Sequence, residues 1–160
     1  MANNQLWDAP DIVPSIMYTD LPRAIEWLER VFGFRERSAA RLTWPGGAMT
    51  WIEIGNSLLN ITTQKEAWGQ DSDSGTPGLV MKVYVDDVDA HFSRAKAEGA
   101  KIISDPVDGF WGGRIYRALD HAGHQWEISQ RGRDLAGLFS FSPLRGRGEN
   151  TFEAKLCLNV

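Results

Sequence analysis

Two short runs of the chain, VPSIMYT at 13–19 and LVMKVYV at 79–85, are rich in β-branched and aromatic residues and predict strands. In the second, Val80, Lys82 and Tyr84 fall on one face and Met81, Val83 and Val85 on the other. Each run stops at an acid suited to capping a helix, Asp20 in the first and Asp86 or Asp87 in the second. Leu21, Ala24, Ile25, Leu28, Val31 and Phe32 then recur at helical spacing, and Val88, Phe92 and Ala95 do so more weakly. Gly33 and Gly99 stop the two helices, because glycine accepts the left-handed backbone past a C-terminus. Three short strands are expected after each helix, near 34–43, 47–54 and 58–63, and near 101–104, 114–119 and 125–130. Their turns fall at Pro45-Gly46-Gly47, Gly55-Asn56, Gly112-Gly113 and Ala122-Gly123. Each half therefore reads β-α-β-β-β.

The halves also match residue by residue. Tyr18 and Tyr84, Asp20 and Asp86, Ala24 and Ala90, and Gly33 and Gly99 are each 66 apart. Trp44 and Trp111, and Ile61 and Ile128, are 67 apart, so one residue is inserted between. The chain divides into a module at 12–63, a polar Gly/Pro-bearing linker at 64–78, a second module at 79–130 and an extension at 131–160. Asp134 to Phe141 is a candidate helical turn in that extension, and the RGRG run at 145–148 reads as loose. The later offset superposes Met49 on Tyr116 and Trp51 on Ala118. That places Met49, Trp51 and Glu53 on one face with Arg114, Tyr116 and Ala118, taken as the open face of the sheet.

Two tandem βαβββ modules of this kind resemble the vicinal-oxygen-chelate superfamily: glyoxalase I, extradiol dioxygenases, fosfomycin-resistance enzymes and bleomycin-resistance proteins. The resemblance is carried by YVDDVDAHFSRAKAEGAKI at 84–102 and GGRIYRALDHAGHQWEI at 112–128. It implies an α+β fold in which both modules curl into one mixed sheet, a cup. Metal-dependent members place ligands early in each first strand and in each last strand. Carried over, those positions are Val13 (Pro14 if the register slips), Val80, Asn60 and Glu127. A divalent metal needs imidazole, carboxylate or thiolate donors, so two valines, an amide and one carboxylate predict neither a metal nor another cofactor. The character implied is that of the metal-free bleomycin-resistance-like members, which also implies a homodimer. Glu127 is then either a base with a raised pKa or a strand-stabilising acid bridged to Lys82 or Arg114.

The whole chain changes this picture little. It has 160 residues, 42% of them hydrophobic, enough for one domain with a real core. No apolar run reaches membrane-spanning length, and the first residues lack the pattern of a signal peptide. A formal charge of −4 argues against nucleic acid, and the single Cys157 fits a cytoplasmic location. Seven tryptophans suit stacking on flat ligands. His121 and His124 flank a tight turn and His91 is expected on the solvent side of its helix, so none is expected to bind metal. The candidate ligand-binding residues are Met49, Trp51, Asn60, Lys82, Tyr84, Trp111, Arg114, Tyr116 and Glu127. The expected function is metal-independent binding of a small organic molecule, aromatic or cationic, such as a sequestered antibiotic. The alternative is a glyoxalase-like lyase, isomerase or dioxygenase using Glu127 as base or metal ligand. A vestigial cup in an accessory protein is a third reading.

Overall fold

The computed structural model describes residues 10–63, 78–109 and 112–132, and the backbone pairing of 139–140 with 155–156. The first half runs β1 (Ser15–Met17), α1 (Leu21–Trp27) continued by a π-helical turn (Leu28–Phe32), β2 (Arg35–Glu36), a 3₁₀ turn (Ser38–Ala40), β3 (Leu42–Trp44), β4 (Gly47–Ile54) and β5 (Ser57–Thr62). The second runs β6 (Val80–Val85), α2 (Val88–Ala97), β7 (Lys101–Asp108), β8 (Arg114–Leu119) and β9 (Gln125–Gln130). The pair β10 (Phe139–Ser140) and β11 (Lys155–Leu156) lies in the extension. Of the helical turn expected at Asp134 to Phe141, 139–140 is instead strand, and the rest lies outside the described residues.

Local chemistry sets the helix boundaries. Asp20 accepts from the Arg23 amide at 3.0 Å, and Asp87, rather than Asp86, accepts from the Ala90 amide at 2.9 Å. Gly33 closes the first helix with φ of 72°. Each half makes one sheet in which the first strand lies parallel to the last: order β1-β5-β4-β2 with β3 also on β4, and order β6-β9-β8-β7. Among the described residues, β1 and β6 are edge strands, each paired on one side.

Both helices pack on the same side, and the two halves share one core. Leu28, Phe32, Ile52 and Ile61 of the first half meet Val83, Tyr116, Trp126 and Ile128 of the second. Two polar groups are built into it. Asp120, 5% exposed, accepts from the Tyr18 hydroxyl at 2.7 Å and the Trp126 indole at 3.1 Å, and from the Ala122 and His124 amides. His91 is the second, and it is buried rather than solvent-facing. Its Nε2 donates to the Phe32 carbonyl at 3.1 Å, which leaves Nδ1 to accept from the Tyr116 hydroxyl at 2.7 Å. Burial, reinforced by the Arg94 guanidinium and opposed by the Phe32 bond, lowers the His91 pKa to about 4.

The register corrects the expected offsets. Trp51 pairs with Asn60, and Arg117 pairs with Glu127. Ser15 pairs with Asn60 and Lys82 with Glu127, so the first strands and their caps Asp20 and Asp87 are 67 apart, and Tyr18 (buried) does not match Tyr84 (exposed). Past the helices Trp51 is the counterpart of Arg117, 66 away, while Asn60 is the counterpart of Glu127, 67 away. The inserted residue lies in the turn at 120–124, after β8 rather than before it. That single step exchanges the faces of β8. Arg114, Tyr116 and Ala118 point at the helices, where Tyr116 and Ala118 are fully buried and Arg114 reaches Asp89 of α2 at 2.9 Å.

Candidate functional site

The side of each sheet away from the helices is covered only in part: Leu58, Thr62, Ile115 and Ser129 are buried on it, while Val80 and Tyr84 are exposed. On the second sheet this side carries Val80, Lys82 and Tyr84 of β6, Glu127 of β9 and Arg117 of β8, in adjacent register. Lys82 Nζ lies 3.0 Å from one Glu127 oxygen, and Arg117 donates from Nε to the other at 2.9 Å. Burial alone would raise the Glu127 pKa, but these two cations outweigh it and hold the carboxyl below its usual range. The bond to Glu127 in turn raises Lys82. Glu127 is thus a compensated structural carboxylate, poorly suited to take up a proton near neutrality. The expected pairing with Lys82 is present, and Arg117 takes the place offered to Arg114.

The first sheet repeats the same row in neutral form. Ser15 donates to Asn60 at 2.9 Å, and Trp51 stands across from Asn60 on β4. Met49 and Glu53 share this face, with Glu53 held below its usual pKa by Arg35 and then Arg37. Of the four family ligand positions, only Asn60 and Glu127 carry donor atoms, and both are already hydrogen-bonded within the sheet. Among the described residues, no cluster of three or more His, Cys, Asp or Glu is placed to hold a metal ion. The donor set does not fit the family's metal.

A groove of about 410 Å³ opens where the edge strand β6 meets the residues preceding β1. Ile12 and Pro14 form one wall, Gly55 and Leu58 of the β4–β5 hairpin another, and Lys82, Tyr84 and Arg131 the third. Its volume is within the range of small-molecule pockets, roughly 300–1,000 Å³. Tyr84 is 52% exposed, with the Arg131 guanidinium 4.8 Å and the Lys82 ammonium 5.6 Å from its ring centre. A second cleft of about 360 Å³ lies on the other side of Tyr84 and Arg131 and adds Asp86 and Gln130.

Of the expected site residues, Lys82 and Tyr84 line the groove, and Glu127 adjoins it through Lys82. Met49, Trp51 and Asn60 lie on the face of the first sheet away from the helices, outside the groove. Arg114 and Tyr116 are on the helix side. Trp111 lies outside the described residues. Arg117 was hidden by the misplaced insertion, and a constant offset of 66 from Trp51 locates it. The alternation ends one residue before Arg131, which places that residue in the extension by sequence.

Comparison with known proteins agrees with the geometry. The profile of the Glyoxalase/Bleomycin resistance protein/Dioxygenase superfamily matches residues 12–128. TioX from Micromonospora sp. ML1 is 32% identical, with a TM-score of 0.61 over 78% of this chain and 98% of its own. Glyoxalase I from Zea mays shares the fold at 22% identity and a TM-score of 0.62, over 74% of this chain and 43% of that one. An uncharacterised protein of Mycobacterium bovis is 28% identical over 134 residues, 79% of this chain and 86% of its own. With a matching profile across both modules and neighbours of the same architecture, the chain belongs to the glyoxalase/bleomycin resistance protein/dioxygenase superfamily.

Proposed function

We propose that this protein is a metal-independent binder of a small, flat organic molecule, taken up in the groove beside Tyr84. The observation that carries the reading is the groove itself, in which Ile12, Pro14 and Leu58 lie near an exposed aromatic ring, Tyr84, on an edge strand. The donor chemistry supports the absence of a metal, since the family's four positions offer two valines, a bonded amide and a doubly bridged carboxylate. That same bridging weighs against the enzymatic alternative, in which Glu127 acts as base. It also removes the reason for a cationic ligand, because Lys82 and Arg117 already balance the Glu127 charge.

Protein purified without chelator should contain less than one-tenth of an equivalent of zinc, iron or nickel. A panel of planar aromatic compounds should raise its melting temperature saturably, because binding to the folded state stabilises it by mass action. Stoichiometric metal that restores turnover of an α-keto aldehyde adduct or a catechol would overturn the reading. A homodimer belongs to the same proposal. Val80 and Val107, 44% and 52% exposed on the side away from the helices, leave apolar surface that a second copy would cover. Light scattering at micromolar concentration measures the mass, and a monomer removes that part. A cytoplasmic location is also part of the proposal, and fractionation of the producing cells tests it.

A further inference from the structure

We infer that the ligand of this groove is an anion: a flat aromatic body carrying a carboxylate, sulfonate or similar group that is received by Arg131. The inference rests on the groove being a binding site and adds the charge of what it binds. Its basis is the composition of the groove wall. The described residues lining it include two cations, Lys82 and Arg131, and no carboxylate, in a chain whose net charge is −4. Lys82 shares Glu127 with Arg117, so this row already carries one positive charge more than it neutralises. Arg131 pairs with no acid among the described residues. Its guanidinium lies over the Tyr84 ring, at the boundary of both clefts, with Asp86 lining only the farther one.

An anion entering from the groove meets these cations directly. A guanidinium stacked on a ring keeps its N–H edge free, and that edge matches a planar anion with two parallel hydrogen bonds. The aromatic body then lies against Ile12, Pro14 and Leu58, while Tyr84 closes the polar end. A planar cation in the same place would meet Lys82, already paired with Glu127, and Arg131, with no carboxylate in the groove lining to receive it. A neutral molecule would gain the apolar contacts and leave Arg131 unused.

Two fluorescent probes with the same aromatic frame separate these cases: anilinonaphthalene sulfonate carries the anion, and phenylnaphthylamine lacks it. Thioflavin T serves as the planar cation. Titration at low salt should show saturable single-site binding of the sulfonate, roughly tenfold or more tighter than the neutral probe. Raising the salt to 0.5 M, on the order of a few-fold shorter screening length, should narrow that gap. Arg131→Gln should abolish the preference by weakening the sulfonate far more than phenylnaphthylamine, and an unchanged circular-dichroism spectrum and melting temperature show that the variant is folded. Arg131→Lys should restore part of the preference.

If the neutral probe or thioflavin T binds as tightly as the sulfonate, and Tyr84→Ala weakens them, the groove is a binding site and only its proposed charge preference is overturned. A sulfonate preference that survives Arg131→Gln overturns the role of Arg131. If none of the three binds saturably, the groove reading and this inference fall together.

Discussion

Lys82 and Glu127 face each other across two parallel strands at 3.0 Å, in the place that Ser15 and Asn60 occupy at 2.9 Å in the first module. An ion pair and a neutral hydrogen bond thus fill equivalent positions in the two halves of one duplicated sheet.

Removing the Glu127 charge should therefore show a pH signature. Its folded pKa is held below the ordinary 4.5, so folding favours the ionised form. That stabilisation is complete above about pH 5 and disappears as acid titrates the folded carboxyl. Glu127→Gln should lower the stability at pH 7 by about 1 kcal/mol, given that Lys82 and Arg117 are both substantially solvated. Denaturant unfolding should show the difference from the parent closing as the pH falls below the ordinary carboxylate range.

His91 acts in the opposite direction on the charge and the same direction on stability. The unfolded imidazole titrates near 6.5 and the folded one at about 4, so the unfolded chain takes up the proton first. Stability falls as pH drops from about 6.5 toward 4, by at most about 3 kcal/mol. His91→Gln, which keeps a donor and an acceptor for Phe32 and Tyr116, should flatten that part of the profile. The imidazole ring signals of the parent should remain those of the neutral form at pH 5.5.

Asp120 accepts four hydrogen bonds, and one donor, Tyr18, comes from the other module. Tyr18→Phe should cost about 1–2 kcal/mol and Asp120→Ala at least about 3 kcal/mol. The double variant should cost less than the sum, because both changes remove the same bond. Thermal or chemical denaturation measures all three, and strict additivity would contradict the pairing.

Gly33 sits at φ of 72°, and a methyl group there would come within 2.6 Å of the Arg94 guanidinium. Arg94 uses that guanidinium to bond the Phe32 carbonyl at 2.8 Å. Gly33→Ala should destabilise by roughly 1–2 kcal/mol, from the left-handed backbone and the displaced arginine together. Gly46→Ala, with φ of 93° and open space around it, isolates the backbone part.

Most of the architecture was legible in the chain because it rests on local rules. The caps at Asp20 and Asp87, the stop at Gly33 and the alternation through Lys82 and Tyr84 each follow from neighbouring residues. The face of β8 did not, since it depends on which side of the strand one inserted residue lies, and Trp44 and Trp111 suggested the earlier side. The burial of His91 is hidden for a different reason: α2 carries apolar residues only sparsely, so its buried stripe is completed by a histidine whose partners, Phe32 and Tyr116, are 59 and 25 residues away. The groove depends on contacts between the halves, and only Lys82 and Tyr84 of its lining announced themselves by pattern.

The shared carboxylate at Asp120 bears on how this duplicated molecule holds together. A lone first half would expose the Tyr18 ring, which packs on His121 and His124, and a lone second half would expose Trp126 and Asp120 to water. Neither repeat is therefore a self-sufficient piece, and the molecule should melt in one transition rather than two. The halves are alike in topology, and the shared core with its buried Asp120 joins them into one cooperative unit.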